Sequence, residues 1–132
     1  MANKRAKKSV NKIVKDKEFI SDFLSGALYG QDWFRCGTHE DTDTEVYETA
    51  KLCNDCAEDV WADVLLNGGY LAVEDNEDGA IYKVGLEDLV KGFKIFMLNE
   101  PRHYADMMTD NGDLWTYNSY LQTILFGEVV YG

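Results

Sequence analysis

Residues 45–84 read EVYETAKLCNDCAEDVWADVLLNGGYLAVEDNEDGAIYKV. In this stretch, apolar residues at helical spacing are followed by two strand-like segments. Apolar or small residues recur in the first half at steps of three and four: Val46, Ala50, Cys53, Ala57, Val60, Trp61, Val64 and Leu65. This spacing predicts one helix that ends at the Asn-Gly-Gly sequence of residues 67–69. Two short apolar segments then flank the turn sequence Asn-Glu-Asp-Gly of residues 76–79, which predicts a β-hairpin over residues 70–84.

Helical spacing of apolar residues recurs in other parts of the chain. It predicts a helix over residues 9–28, with a break near Asp16, and further helices over residues 85–98 and 114–125. A shorter segment of the same kind begins at Pro101.

Two segments complete the predicted fold. Residues 36–45 are polar and acidic and are expected to form a loop. Residues 129–131, Val-Val-Tyr, could add a strand to the edge of the hairpin, which would otherwise be exposed. We therefore predict an α+β fold: a small antiparallel sheet, made of the hairpin and this C-terminal strand, packed by about four helices.

The composition fits a globular protein. With 132 residues, of which 45% are hydrophobic, the chain is long enough for one packed domain. We expect a basic, flexible arm over residues 1–8 and a single α+β domain over residues 9–132. The sequence contains no run of 18 apolar residues, so no membrane span is predicted, and three cysteines are too few for a disulfide scaffold. We therefore expect a cytoplasmic protein with reduced thiols and no membrane partner.

The charge is distributed unevenly along the chain. Residues 1–17 contain seven Lys or Arg and one acid, a net charge of +6, whereas residues 18–132 contain six Lys or Arg and 23 acids, a net charge of −17. The acidic part would repel nucleic acid and attract a basic surface. We therefore expect a protein partner with a basic surface, such as a nucleic-acid-handling effector, and no direct nucleic-acid binding by the acidic part.

Two pairs of metal-ligand residues are spaced like a structural zinc site. Cys36 and His39 form the first pair, and Cys53 and Cys56 form the second pair thirteen residues later. Thiolate and imidazole ligands suit Zn²⁺. The alternative is that the cysteines are core or semi-buried residues, since Cys53 and Cys56 fall within the helical pattern and no Gly or Pro supplies a tight turn between them.

The sequence lacks a credible catalytic set. A nucleobase deaminase needs His-x-Glu followed by Pro-Cys-x-x-Cys, whereas His39 is followed directly by Glu40 and no proline precedes Cys53. No pattern places a histidine beside a cysteine nucleophile, and the paired carboxylates fall in turns and at helix starts. We therefore expect a protein that is not an enzyme and that needs no cofactor unless zinc is bound.

Carboxylates that are several ångströms apart can imitate a row of phosphates and occupy a basic nucleic-acid groove. If the central helix and the hairpin lie side by side, their acids share one edge. The predicted partner-binding residues are Glu40, Asp41, Asp43, Glu45, Asp55, Glu58, Asp59, Asp63, Glu74, Asp75, Glu77, Asp78, Glu87 and Asp88.

Four blocks of the sequence carry a resemblance. They are residues 57–73 (AEDVWADVLLNGGYLAV), 82–92 (YKVGLEDLVKG), 121–132 (LQTILFGEVVYG) and 27–34 (ALYGQDWF). Together they resemble small acidic accessory proteins of phages and mobile elements in gut Firmicutes. The resemblance implies an inhibitor of the anti-CRISPR or antirestriction type that acts inside the bacterial host cell, and it implies no catalytic residues.

Two functional hypotheses follow from the sequence. The first is a phage-type protein inhibitor of a bacterial nucleic-acid-targeting defence complex, which binds a basic surface through the acidic residues. The alternative is a small protein-interaction or regulatory module without enzymatic activity, which zinc could stabilise. Such a module would bind through the hairpin edge or through an exposed aromatic patch made of Tyr29, Trp33 and Phe34.

Overall fold

A computed structural model describes residues 9–29 and 32–132, so the predicted basic arm over residues 1–8 lies outside the described residues. The helices are α1 (Val10–Val14), α2 (Lys17–Leu28), α3 (Thr44–Cys53), α4 (Ala57–Leu66), α5 (Leu86–Asn99), α6 (Pro101–Met108) and α7 (Leu114–Phe126). The strands are β1 (Phe34–Thr38), β2 (Leu71–Asp75) and β3 (Ile81–Val84).

The α+β class and the hairpin are confirmed. The three strands form an antiparallel sheet in the order β1-β2-β3, and β2 pairs with β3 from Leu71↔Val84 to Glu74↔Ile81. The turn closes where the Gly79 N–H donates to the Asp75 carbonyl over 2.8 Å. Gly79 has a φ of +76°, a backbone conformation that glycine adopts without steric cost.

The predicted break in the first helix is also confirmed. The Asp16 carboxylate accepts a hydrogen bond from the Glu18 N–H over 3.0 Å and thereby caps the start of α2. Seven helices occur in the described residues, where about four were expected.

One extra helix arises because the predicted central helix is interrupted at residues 54–56. Asn54 has extended backbone angles, and its side-chain amide donates to the Ala50 carbonyl over 2.9 Å and to the Asp63 carboxylate over 2.6 Å. An asparagine side chain that bonds the backbone in this way competes with helix continuation. The prediction of one uninterrupted helix was therefore wrong, and Cys53 and Cys56 lie on opposite sides of the break.

The third strand does not come from the C-terminus. It is β1, which pairs with β2 from Phe34↔Asp75 to Thr38↔Leu71. Residues 36–38 of this strand were predicted to belong to a loop. The C-terminal segment instead gives its Val130 and Tyr131 N–H groups to the Gln122 side-chain carbonyl, over 2.7 Å each. A buried side chain thus satisfies the backbone donors that a strand would have offered to the sheet.

The helices cover one face of the sheet. The alternation along β2 places Leu71, Val73 and Asp75 on the buried face. The opposite face is open, and nothing lies within 4 Å of the position that a Cβ on Gly37 would take. The buried face continues into a core that α7 crosses and that contains the fully buried side chains of Phe23, Phe93, Phe96 and Tyr120.

Helix α7 packs very closely against α5 at Gly92. A Cβ on Gly92 would lie 2.5 Å from the Ile124 Cγ1 and 3.0 Å from the Ile124 Cα, which belongs to the α7 backbone.

We predict that Gly92→Ala lowers the free energy of unfolding by about 1–3 kcal/mol, because the two helices must move apart. Urea unfolding measures this change. The matched control is Gly37→Ala on the open face, which should change stability by less than about 0.5 kcal/mol, and equal effects of the two substitutions would contradict the close packing.

Candidate partner-binding surface

The predicted acidic residues lie in three groups. Glu74, Asp75, Glu77 and Asp78 lie at the hairpin turn, and Asp55, Glu58, Asp59 and Asp63 lie at the start and along α4. The third group, Glu40, Asp41, Asp43, Glu45, Glu87 and Asp88, surrounds the other end of the sheet, where Leu71 pairs with Val84. Because β2 is five residues long, its two ends are about 13 Å apart. The acids therefore lie at both ends of the sheet and along α4, and the shared acidic edge stays a prediction.

Asp75 is not a surface residue, which corrects its prediction as a partner-binding group. Its side chain is only 1% exposed, because residue 75 shares the inner face of β2 with two core residues. The Tyr131 hydroxyl donates to the Asp75 Oδ2 over 2.6 Å, and the Glu77 N–H donates to the Oδ1 over 2.9 Å. This carboxylate attaches the C-terminal segment to the hairpin and is unavailable to a partner.

The carboxylates along α4 are partly committed to the fold. Asp63 accepts hydrogen bonds from the Lys17 ammonium and from the Asn54 amide, at 3.2 and 2.6 Å. Asp59 accepts one from the Ser21 hydroxyl over 2.7 Å, and this bond lowers the pKa of Asp59. A hydrogen bond from Tyr29 likewise lowers the pKa of Glu58. The lowered pKa values keep Asp59 and Glu58 ionised at neutral pH, and all three carboxylates tie α4 to α2.

Most of the remaining acids are exposed and are not neutralised. Among residues 9–29 and 32–132, the carboxylates within 4.0 Å of a lysine ammonium are those of Asp41, Glu48 and Asp63. Glu40, Asp55, Glu77 and Glu87 are exposed and make no ion pair within that part of the chain. Uncompensated carboxylates of this kind produce a negative potential that extends into the solvent.

The four predicted zinc ligands do not converge on one site. Cys36 is partly buried in β1, while Cys53 and Cys56 are exposed at the end of α3 and before α4. The His39 Nδ1 accepts the Asp41 N–H over 3.0 Å. In the described part of the chain, no three His, Cys, Asp or Glu side chains are grouped so that they could hold a metal ion.

Cys36 agrees with the alternative prediction of core or semi-buried cysteines, whereas Cys53 and Cys56 do not, because both are exposed. Burial raises the pKa of the Cys36 thiol to about 12, so this residue is protonated at neutral pH and is a poor metal ligand. At Cys56, a backbone hydrogen bond at Asp59 favours the thiolate. The carboxylates of Asp59 and Glu58 outweigh that bond, and the pKa of Cys56 is raised.

The predicted aromatic patch is largely part of the core. Phe34 is 5% exposed, and its ring lies 6.1 Å from the rings of both Phe126 and Tyr131. Trp33 is half-buried against Trp115 and Tyr131. Only Tyr29 of the three is exposed, so these residues do not form a contiguous apolar surface for a partner.

A groove that the sequence did not indicate lies between the first two helices and the connection from α6 to α7. It has a volume of about 710 Å³ and is lined by Lys12, Ile13, Asp16, Glu18, Phe19, Asp22, Met107, Met108, Asp110 and Tyr117. We call it the α2–α7 groove. Its two sides lie some 90 residues apart in the chain, so local sequence patterns carry no signal for it. A smaller acidic cleft of about 350 Å³ lies between α3 and α4, lined in part by Asp43, Glu45 and Asp63.

Comparisons with protein-family models, with curated proteins and with solved structures found no match. The resemblance to phage accessory proteins therefore stays a prediction. No helix in the described residues is long and apolar enough to cross a membrane.

The bond between Tyr131 and Asp75 predicts a pH dependence of stability. This hydrogen bond raises the pKa of Tyr131 from 10.0 to about 12. Because the folded pKa is raised, the stabilisation is complete below about pH 10 and is lost as the pH rises towards about 12. We predict that Tyr131→Phe lowers the urea midpoint at pH 7 and that the difference from the wild type narrows between pH 10 and 12. A difference that is constant across this range would contradict a proton-dependent bond.

The exposure of the thiols predicts their reactivity and tests the zinc site. Cys53 and Cys56 are exposed and should react with Ellman's reagent in the folded protein, Cys56 slowly because its pKa is raised. Cys36 should react only after denaturation, because it is partly buried and its pKa is raised to about 12. Cys36→Ser should therefore remove only the thiol that becomes reactive on denaturation. Protein purified without added zinc should be assayed for metal in parallel. Stoichiometric zinc that is released as Cys53 and Cys56 react would show that the predicted ligands do form a zinc site.

Proposed function

We propose that this protein is a non-enzymatic binding protein that uses exposed carboxylates to occupy a basic surface of a protein partner. The observation that carries this proposal is the uncompensated charge: residues 18–132 have a net charge of −17, while three lysine ion pairs occur among the described residues. Maintaining this charge costs stability through self-repulsion, and a basic partner relieves that repulsion on binding.

The basic surface that we propose is one that normally holds nucleic acid. Grooves for nucleic acid are lined by Lys and Arg and are large enough to contact several carboxylates at once. An acidic protein that fills such a groove excludes the nucleic acid and so inhibits the effector. The sequence resemblance favours a bacterial defence complex, either a CRISPR effector or a restriction enzyme, as the inhibited assembly.

The acids of this surface fall into those with structural bonds and those without. The Asp88 carboxylate accepts the Gly85 N–H over 2.8 Å, and Asp43 accepts the Glu45 N–H, so their substitution would disturb helix starts. Glu40, Asp55, Glu77 and Glu87 are exposed, and their side chains make no hydrogen bond within the described residues. Substitutions at these four positions therefore test the effect of charge on partner binding without disturbing the fold.

The proposal is tested in two steps. The tagged protein is first used to capture partners from a bacterial lysate, with washes at rising salt. A captured effector is then purified, and its binding to labelled DNA or RNA is measured with and without this protein. We expect competitive loss of nucleic-acid binding and an affinity that falls steeply as salt rises, since charges dominate the contact.

We predict that the combined variant Glu40→Gln, Asp55→Asn, Glu77→Gln and Glu87→Gln weakens inhibition by at least about tenfold. A control variant neutralises two exposed acids elsewhere, Asp106→Asn and Glu128→Gln, and should weaken inhibition by less than about threefold. Circular dichroism and thermal melting confirm that each variant is folded. Binding that is insensitive to salt, or inhibition that survives the four substitutions, would refute the electrostatic mechanism.

A further inference from the structure

The floor of the α2–α7 groove is apolar. Ile13 and Phe19 come from α1 and α2, and Met107 and Tyr117 come from α6 and α7. Phe19 is held edge-on against Phe93, with ring centroids 5.9 Å apart, so its position is fixed by the core. The floor therefore presents a preformed apolar surface to which four helices contribute.

The rim of the same groove is acidic. Asp16, Glu18 and Asp22 line it from the α2 side and Asp110 from the opposite side, while Lys12 is the cation that lines it among the described residues. None of the four carboxylates forms an ion pair within the described part of the chain. Burial together with the charges of Asp110, Asp16 and Asp59 raises the pKa of Asp22. These carboxylates repel one another, and a cation between them would relieve the repulsion.

The combination of floor and rim restricts what can bind. Phosphate groups would be repelled, and among residues 9–29 and 32–132 the acids do not form a cluster that could hold a metal ion. An apolar ligand without charge would leave the carboxylates unneutralised. A peptide segment that carries both apolar side chains and lysines or arginines satisfies both parts of the groove.

We propose that the α2–α7 groove binds a basic amphipathic segment of the partner protein. Its apolar side chains would lie on Ile13, Phe19 and Tyr117, and its lysines or arginines would pair with Asp22 and Asp110. This inference rests on the proposed function, because it assumes a basic protein partner, and it assigns a specific contact to residues outside the predicted acidic set. Sequence reasoning missed these residues because the two sides come together only in the folded chain.

Two of the rim carboxylates can be changed without damage to the backbone. Asp16 caps α2 and should be left intact, whereas the Asp22 carboxylate makes no hydrogen bond within the described residues. Asp110 has a φ of +60°, and asparagine is well suited to that conformation. The pair Asp22→Asn and Asp110→Asn therefore removes two charges from the groove and preserves its shape.

The test measures binding of a labelled peptide of about 12 residues that, as a helix, carries leucines on one face and lysines on the other. We expect the Asp22→Asn/Asp110→Asn protein to bind it at least about tenfold more weakly than the wild type. The matched control, Asp32→Asn/Glu128→Gln, removes two exposed charges that lie outside both the groove and the predicted acidic set, and it should weaken binding less than about twofold. A second peptide, with serine in place of leucine, should bind at least about tenfold more weakly than the first.

The outcomes separate this inference from the proposed function. If the two double substitutions weaken binding equally, and the serine and leucine peptides bind alike, the groove is not the binding site. The proposed electrostatic binding function would then still stand. A captured partner whose affinity depends on Glu77 and Glu87 but not on Asp22 and Asp110 would do the same. The chain's own residues 1–8 include four Lys or Arg and share the chemistry of the probe. If a protein lacking residues 2–8 binds the peptide at least about tenfold more tightly, that segment is the occupant, and docking of a partner there is refuted.

Discussion

Helix α7 holds this fold together through a chain of buried hydrogen bonds. The Asn118 amide donates to the Ala27 carbonyl at the end of α2, and the Gln122 amide donates to Asn118. Gln122 then accepts the two N–H groups of the C-terminal segment. Both side chains are fully buried, so each hydrogen bond must be made or the cost of desolvation remains. This requirement selects one arrangement of α2, α7 and the C-terminus, where apolar packing alone would permit several.

The same helix sets the geometry of the candidate binding surfaces. The Tyr120 hydroxyl bonds the Leu89 carbonyl and so aligns α5 with α7. Tyr117, one turn earlier, packs against Gly26 on α2 and forms one wall of the α2–α7 groove. At its far end, α7 leads into the segment whose Tyr131 bonds Asp75 beneath the hairpin turn. The groove and the acidic hairpin turn are thus both positioned by one rigid element, which fixes the spacing between them.

The acidic residues have two different roles in this protein. Some carboxylates are structural: Asp16, Asp43, Asp88 and Asp113 cap helices, and Asp63 and Asp75 hold segments together. Others are exposed and without a bonding partner in the described residues, and these give the surface its negative potential. A count of acids in the sequence cannot separate the two roles, because the difference lies in which N–H, hydroxyl or ammonium group folding brings within hydrogen-bonding distance.

The sequence by itself determined the elements that depend on local patterns. The 3.6-residue spacing located most helices, the Asn-Glu-Asp-Gly turn located the hairpin, and the first helix was expected to break near Asp16. Tertiary structure alone decided the remaining features: the interruption at Asn54, the strand from Phe34 to Thr38, the burial of Asp75 and the two sides of the α2–α7 groove. Three of these depend on a contact between residues distant in the chain: Phe34 with Asp75, Tyr131 with Asp75, and Asp22 opposite Asp110. The interruption at Asn54 combines a local bond to the Ala50 carbonyl with bonds to Asp63 and Lys17 that form only on folding. Periodicity and propensity report what a segment prefers alone, whereas the energy of these contacts exists only once the segments have packed together.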